Sequence, residues 1–194
     1  MENTNGKLNQ RIISGVFQNK KFAAALEVIS LLLLGALALV LRSYLRAPLN
    51  LPGRHGVEFM AIIILGRQFS KFRFASSISA MAVLTMIFVP FLGIKNPLMA
   101  SAYAAPCIVL DYIYNKFKLK NNKVFFLALF AGLSYMAIPL LRLVFCLFTG
   151  SLESAFIKHG FVVPIISHFF YGFAGGLFGA GFFQLFKLKR KSLE

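Results

Sequence analysis

Residues 22–40, FAAALEVISLLLLGALALV, decide the fold class. In 19 positions the run holds one ionisable residue, Glu27. At 1.5 Å per residue such a helix reaches about 28 Å, close to the roughly 30 Å hydrocarbon core of a bilayer. In lipid the backbone has no water to bond, so a run of this kind pairs its polar groups internally as a helix. Further apolar runs occupy residues 57–69, 75–92, 98–114, 124–148 and 161–186, the first of them short enough to be a tilted or incomplete span. With 58% of the 194 residues hydrophobic and 14% charged, the chain falls well below the roughly one-quarter charge of soluble domains. That balance excludes a cytosolic enzyme, a secreted disulfide scaffold and a disordered chain. The expected fold is an all-α membrane protein, a compact bundle of six transmembrane helices over residues 22–187. Basic tails at 1–21 and 188–194 flank it. A cleaved signal peptide would precede a soluble chain, and more apolar runs follow here instead, so the first helix is expected to be retained.

Basic residues give the bundle a direction, because Lys and Arg collect on the cytoplasmic side of short loops. With six spans and a cytoplasmic N-terminus, 15 of the 21 Lys and Arg fall inside and six outside. Dropping the short second span would move Arg67, Lys71 and Arg73 outside and reverse every later loop. Both termini are therefore expected in the cytoplasm of a multi-pass protein. The net charge of +15 is distributed as these short clusters between apolar runs, so it points to membrane lipid and not to nucleic acid.

Small residues mark where helices approach. The last run, HFFYGFAGGLFGAGFF, sets Gly172, Gly176 and Ala180 at steps of four, with Gly175 and Gly179 on the adjoining stripe. Such spacing lets backbones pack closely. Packing within the bundle and docking to another subunit both fit it. The first helix has small residues too, Ala23, Ala24, Ala25, Ser30, Gly35, Ala36 and Ala38, without a strict four-residue repeat.

Residues 46–67, RAPLNLPGRHGVEFMAIIILGR, are the most distinctive segment. Pro48, Pro52, Gly53 and Gly56 cannot continue a helix comfortably, which predicts a structured loop presenting Arg54, His55 and Glu58 at the mouth of the bundle. Either the loop anchors at the interface by its charges or it covers a binding cavity. Ionisable groups at membrane depth are costly and face cavities or partners. Glu27 is expected to pair with Lys20 or Arg73, and Asp111 with Arg67 or Lys71. Arg142 and His168, in the outer halves of the last two runs, are the better ligand candidates, with Tyr171 on the His168 face and Tyr103 able to stack on a flat ring. Arg142 is expected to find Glu58 or a substrate carboxylate, or else to reach the headgroups. Cys107 and Cys146 read as buried apolar residues. The three histidines show no metal-ligand spacing, and neither a nucleophile elbow nor a phosphate-cradling loop is present, so no metal, cofactor or catalytic residue is assigned.

The pattern resembles the substrate-binding S components of energy-coupling factor (ECF) transporters. The resemblance rests on size, topology, the loop LNLPGRHGVEF after the first helix, the short second span ending in LGR, and the glycine-rich last helix. It implies a subunit of the bacterial cell membrane, not an enzyme, that captures a vitamin or cofactor precursor in an outward-facing cavity. A transmembrane T component and two ATPases would then drive import. Many S components dock through a strict small-xxx-small motif in the first helix. Here Ala23 is followed at four residues by Glu27, and Ala36 by Val40. Docking would then fall to Ala24, Ala25 and Gly35. Cobalt and nickel members carry a histidine after the initiator methionine; Met1-Glu2-Asn3 disfavours a metal substrate. A surplus of Arg54, Arg142 and His168 over Glu58 points to an anionic substrate. The residues by themselves leave open a small membrane enzyme acting on a lipid or peptide, and a structural subunit of a membrane complex.

Overall fold

The computed structural model describes residues 20–44, 51–94, 96–119 and 124–192. The N-terminal basic segment to residue 19, Arg46 and Pro48, Lys95, Lys120 and Lys123, and the last two residues lie outside the described residues. Among the described residues the secondary structure is entirely helical. Helix α1 (Lys20–Tyr44) is followed by α2 (Gly56–Phe69), α3 (Ala75–Met86), α4 (Pro97–Ser101), α5 (Ala105–Lys116), α6 (Val124–Tyr135), α7 (Ala137–Thr149), α8 (Ser154–His159) and α9 (Val162–Lys191). Among the described residues three helical stretches are long and apolar enough to cross a membrane: Lys20–Tyr44, Val124–Thr149 and Val162–Arg190. Large apolar side chains stand exposed around the bundle, among them Ile29, Leu33, Phe88, Leu147, Phe170 and Phe178. That surface suits hydrocarbon, not water.

Proline explains why the other apolar runs are broken. The run at 75–92 ends as α3 at Met86, and Pro90 then opens a 3-10 turn, Pro90–Leu92. Pro106 occupies the first turn of α5, where its missing N–H costs nothing, and α4 plus a 3-10 turn precede it. Pro139 cannot donate to the carbonyl four residues back and its ring crowds that turn. The long stretch accordingly breaks at Met136 between α6 and α7.

The α9 glycines set the centre of the bundle. A Cβ on Gly172 would meet the Tyr135 Cβ at 2.5 Å, and one on Gly176 the Ala131 Cβ at 2.6 Å, so this stripe lies on α6. Gly175 and Gly179 lie on α2, with hypothetical Cβ atoms 2.6 Å from the carbonyl oxygens of Gly56 and Ala61. Helix α9 is thus wedged between α6 and α2. Ala180, next in the first stripe, is buried. Gly35 performs the same role for α1, where a Cβ would run into the Ser79 carbonyl of α3. Ala24 is half-buried and Ala25 exposed. The core between these helices is built from Leu39, Phe59, Ile63, Val83, Leu110 and Tyr135.

One end of the bundle is closed by a polar network. Arg67 is 3.0 Å from Asp111, as expected, and also donates to the carbonyls of Phe72 and Arg73 at 2.9 and 3.3 Å. Asp111 in turn accepts from the backbone N–H groups of Ser76 and Ser77 at 3.2 and 2.7 Å, and from the Ser77 hydroxyl at 2.8 Å. A carboxylate of α5 therefore caps the first turn of α3, whose own cap position holds Phe74. The expectation for Glu27 is corrected. It accepts from the Ser70 hydroxyl at 2.6 Å and from the Lys71 backbone N–H at 2.7 Å, not from a cationic side chain. The turn after α2 supplies donors nearer than Lys20 or Arg73 can.

Candidate functional site

The opposite end gathers the C-terminus of α1, the loop before α2, the turn after Pro90–Leu92, and the segment joining α7 to α8. Together they line an open cavity of about 390 Å³. Its polar wall is made by Arg42, Ser43, His55, Asn96, Arg142 and Glu153. The volume lies in the range of small-molecule sites, in which a few placed polar groups fix the ligand.

Each side chain is positioned by its own backbone. Residues 51–55 form a turn in which the Gly56 N–H donates to the Gly53 carbonyl at 2.8 Å. Gly53 has φ +83°, and a Cβ there would lie 2.7 Å from the His168 ring, so conformation and space both require glycine. His55 then stands immediately before α2, and Arg54 Nε donates to His55 Nε2 at 3.3 Å. Burial, helped by the positive charges of Arg42 and Arg54 and opposed by Glu58, holds the imidazole below its ordinary pKa. His55 therefore favours the neutral form, able to donate or accept. Its Nδ1 is buried without a hydrogen-bond partner, as are Arg42 Nε, Glu58 Oε2 and the Tyr135 hydroxyl. Glu58 lies in the first turn of α2 and not in the loop that was expected to carry it.

Tyr103 sits behind the cavity wall, buried, with the Arg42 guanidinium 3.8 Å and the Arg142 guanidinium 5.2 Å from its ring centre. Phe59 meets it edge-on at 5.9 Å and meets Tyr135 at 6.1 Å. Tyr135 stacks on His168 at 5.1 Å. An aromatic column therefore runs from Tyr103 through Phe59 and Tyr135 to His168.

Of the residues singled out in the sequence, His55 and Arg142 line the cavity. Arg54 joins it through His55, and Tyr103 backs the two arginines. His168 is buried beneath Gly53, with Nδ1 2.6 Å from the Pro164 carbonyl. Tyr171 is half-buried on α9 and does not line the cavity. The partner expected for Arg142 is corrected. Its Nη1 donates to Glu153 at 2.8 Å and its Nε to the Met99 carbonyl at 3.2 Å, so neither Glu58 nor a lipid headgroup is its counter-ion. Glu153 and Arg42 were missed because each reads as a flanking charge. Arg42 stands two residues beyond the first apolar run, and Glu153 stands between the last two. No local spacing shows that α1 and α7 end at the same place.

Among the described residues no group of three or more His, Cys, Asp or Glu could hold a metal ion. Cys107 and Cys146 are buried free thiols. No family model, curated protein or solved structure matches this chain.

Proposed function

We propose that this chain is the substrate-capture subunit of a bacterial uptake transporter, akin to the S components it resembles in sequence pattern. It binds a small anionic molecule, a vitamin or cofactor precursor, in the cavity beside Arg42, His55 and Arg142. Six helical segments cross the membrane, with both termini cytoplasmic. The ends at which residues meet support this topology. Arg42, His55, Asn96 and Glu153 share one end, while Glu27, Arg67, Asp111 and the turn at Ser70 share the other. Successive apolar segments therefore run in alternating directions, and the cavity falls on the outer side of an N-in chain.

The observation that carries the reading is the cavity's chemistry. It is lined by hydrogen-bonding and cationic groups, two of them with buried unpartnered nitrogens, beneath a loop that glycine alone can form at Gly53. That arrangement suits a polar ligand, and the Ser43 hydroxyl of the wall donates to the Leu39 carbonyl at 3.1 Å and not to His55. Asp111 and Glu27 are at the other end, held in structural contacts. Binding energy would come from the cavity, and ATP hydrolysis would take place on partner subunits. Affinity purification from native membranes tests this. The expected result is co-isolation of a second polytopic membrane protein and two ATPase subunits. A chain isolated alone under conditions that preserve known membrane complexes would overturn the transporter reading.

A further inference from the structure

We infer that Arg42 is the anion anchor of the outer cavity and that the group it receives is a single carboxylate. The inference rests on reading that cavity as the capture site. The two arginines of the described wall differ in one respect. Arg142 already holds an acid of the chain, with Glu153 at 2.8 Å, and spends its Nε on the Met99 carbonyl. Glu153 cannot readily leave. It stands at the start of α8, where its carbonyl accepts from the N–H groups of Phe156 and Ile157 at 2.9 and 3.2 Å. Phe156 is buried against Met99 and Cys146, so the short helix carrying Glu153 is tethered to the wall it faces. The Arg142–Glu153 pair is a neutral, fixed part of the cavity.

Arg42 has no such partner on its Nε, which is buried and unpaired. The Tyr103 ring, 3.8 Å from the guanidinium, supports the charge through its π face but brings no counter-charge. Neither ion pair of the described residues includes Arg42, so the charge it brings to the cavity wall is uncompensated, and an incoming anion neutralises it. His55, which also lines the cavity, gives a second polar contact. The planar fork of a guanidinium matches a carboxylate in two parallel hydrogen bonds. Charge counting limits the group further. Arg42, Arg142 and Glu153 sum formally to one positive charge, and Arg54 and Glu58, both acting on His55, cancel each other; one carboxylate neutralises that balance and a dianionic phosphate exceeds it.

The test is a titration of the purified chain in nanodiscs with three probes of similar shape: benzoate, its neutral analogue benzamide, and the dianion phenyl phosphate. Calorimetry on the wild type is expected to show benzoate binding at least about tenfold tighter than either other probe, the factor of a single charge-assisted hydrogen bond. Arg42→Lys is expected to lose at least about tenfold in benzoate affinity, because an ammonium lacks the fork. Lys158→Gln, which removes an exposed positive charge of α8 that does not line the cavity, is expected to stay within about threefold of wild type. Equal binding of benzoate and benzamide by the wild type would overturn the inference, whether or not any variant folds. So would a tighter grip on phenyl phosphate, or loss of benzoate in Lys158→Gln with Arg42→Lys unaffected. The ATPase co-isolation above is independent of these titrations. Carboxylate selectivity without partner subunits would leave Arg42 as anchor and remove the transporter.

Discussion

Replacing Gly176 by alanine adds one methyl group where α9 meets α6. That methyl would stand 2.6 Å from the Ala131 Cβ and 2.7 Å from the Ala128 Cα. Ordinary contact begins near 3.4 Å, so the two helices must separate locally by about 0.8 Å. Neither neighbour is the tip of a flexible side chain. Both are fixed to the α6 backbone, and the strain cannot be taken up by a rotamer change. Overpacking of this kind costs about 1–3 kcal/mol. The same helix supplies its own control at Gly181, where a Cβ meets nothing within 4 Å. Gly181→Ala should be neutral or stabilising by up to about 1 kcal/mol, because alanine loses less backbone entropy in a helix. Reversible unfolding in mixed micelles, read by circular dichroism, measures both variants on one scale. The expected result is a clear loss for Gly176→Ala beside no loss for Gly181→Ala. Equal stability of the two variants would refute the α6–α9 contact as the reason for the glycine stripe. A stable Gly176→Ala chain that failed only to bind a partner would assign the stripe to docking.

Three further predictions follow from the two ends of the bundle. Asp111→Ala should destabilise the chain by roughly 3–5 kcal/mol in the same unfolding assay, because it strands the buried Arg67 and uncaps α3; Arg67→Met with Asp111→Leu should recover a large part of that loss. Gly53→Ala should cost about 1–3 kcal/mol through its φ of +83° and its approach to His168, while alanine at Gly150, where φ is +67° but nothing lies within 4 Å, should show only the conformational part. His55 is held below the ordinary value of about 6.5, so in the window beneath that value the unfolded chain binds more protons than the folded one. Its contribution is therefore complete above about pH 6.5 and is lost as the pH falls, and His55→Gln should unfold with a shallower decline between pH 7.5 and 5.5 than wild type; parallel declines would remove His55 from the buried wall.

Apolar length and proline placement made most of the fold readable. The six runs appear as helical segments, and breaks fall beside Pro90, Pro106 and Pro139 because a missing donor acts locally wherever the chain goes. The step-of-four glycines were legible for the same reason, since a helix turns them onto one face without knowledge of the neighbour. Which helix they meet was not encoded locally; that α6 and α2 flank α9 depends on the whole packing. Polar partners were legible only where both groups lie deep. Arg67 and Asp111 have few alternatives there, and they pair. Glu27 has backbone donors within reach, which a count of charges does not see. Arg142 was matched to the wrong acid because Glu153 belongs to a loop whose path over the cavity is set by Phe156 in a small separate core. Arg42 carried no signal at all, because a cation at the end of a span is ordinary.

The central claim, capture of a small anion in the outer cavity, is tested most directly by the molecules the protein itself retains. The chain would be purified from native membranes, stripped of loosely held lipid, denatured, and its released small molecules identified by mass spectrometry. The account predicts one acid-bearing compound in near-equimolar amount from wild type and its loss from Arg42→Ala purified in the same way. Release of phospholipid alone from wild type, or the same compound in the same amount from Arg42→Ala, would contradict it.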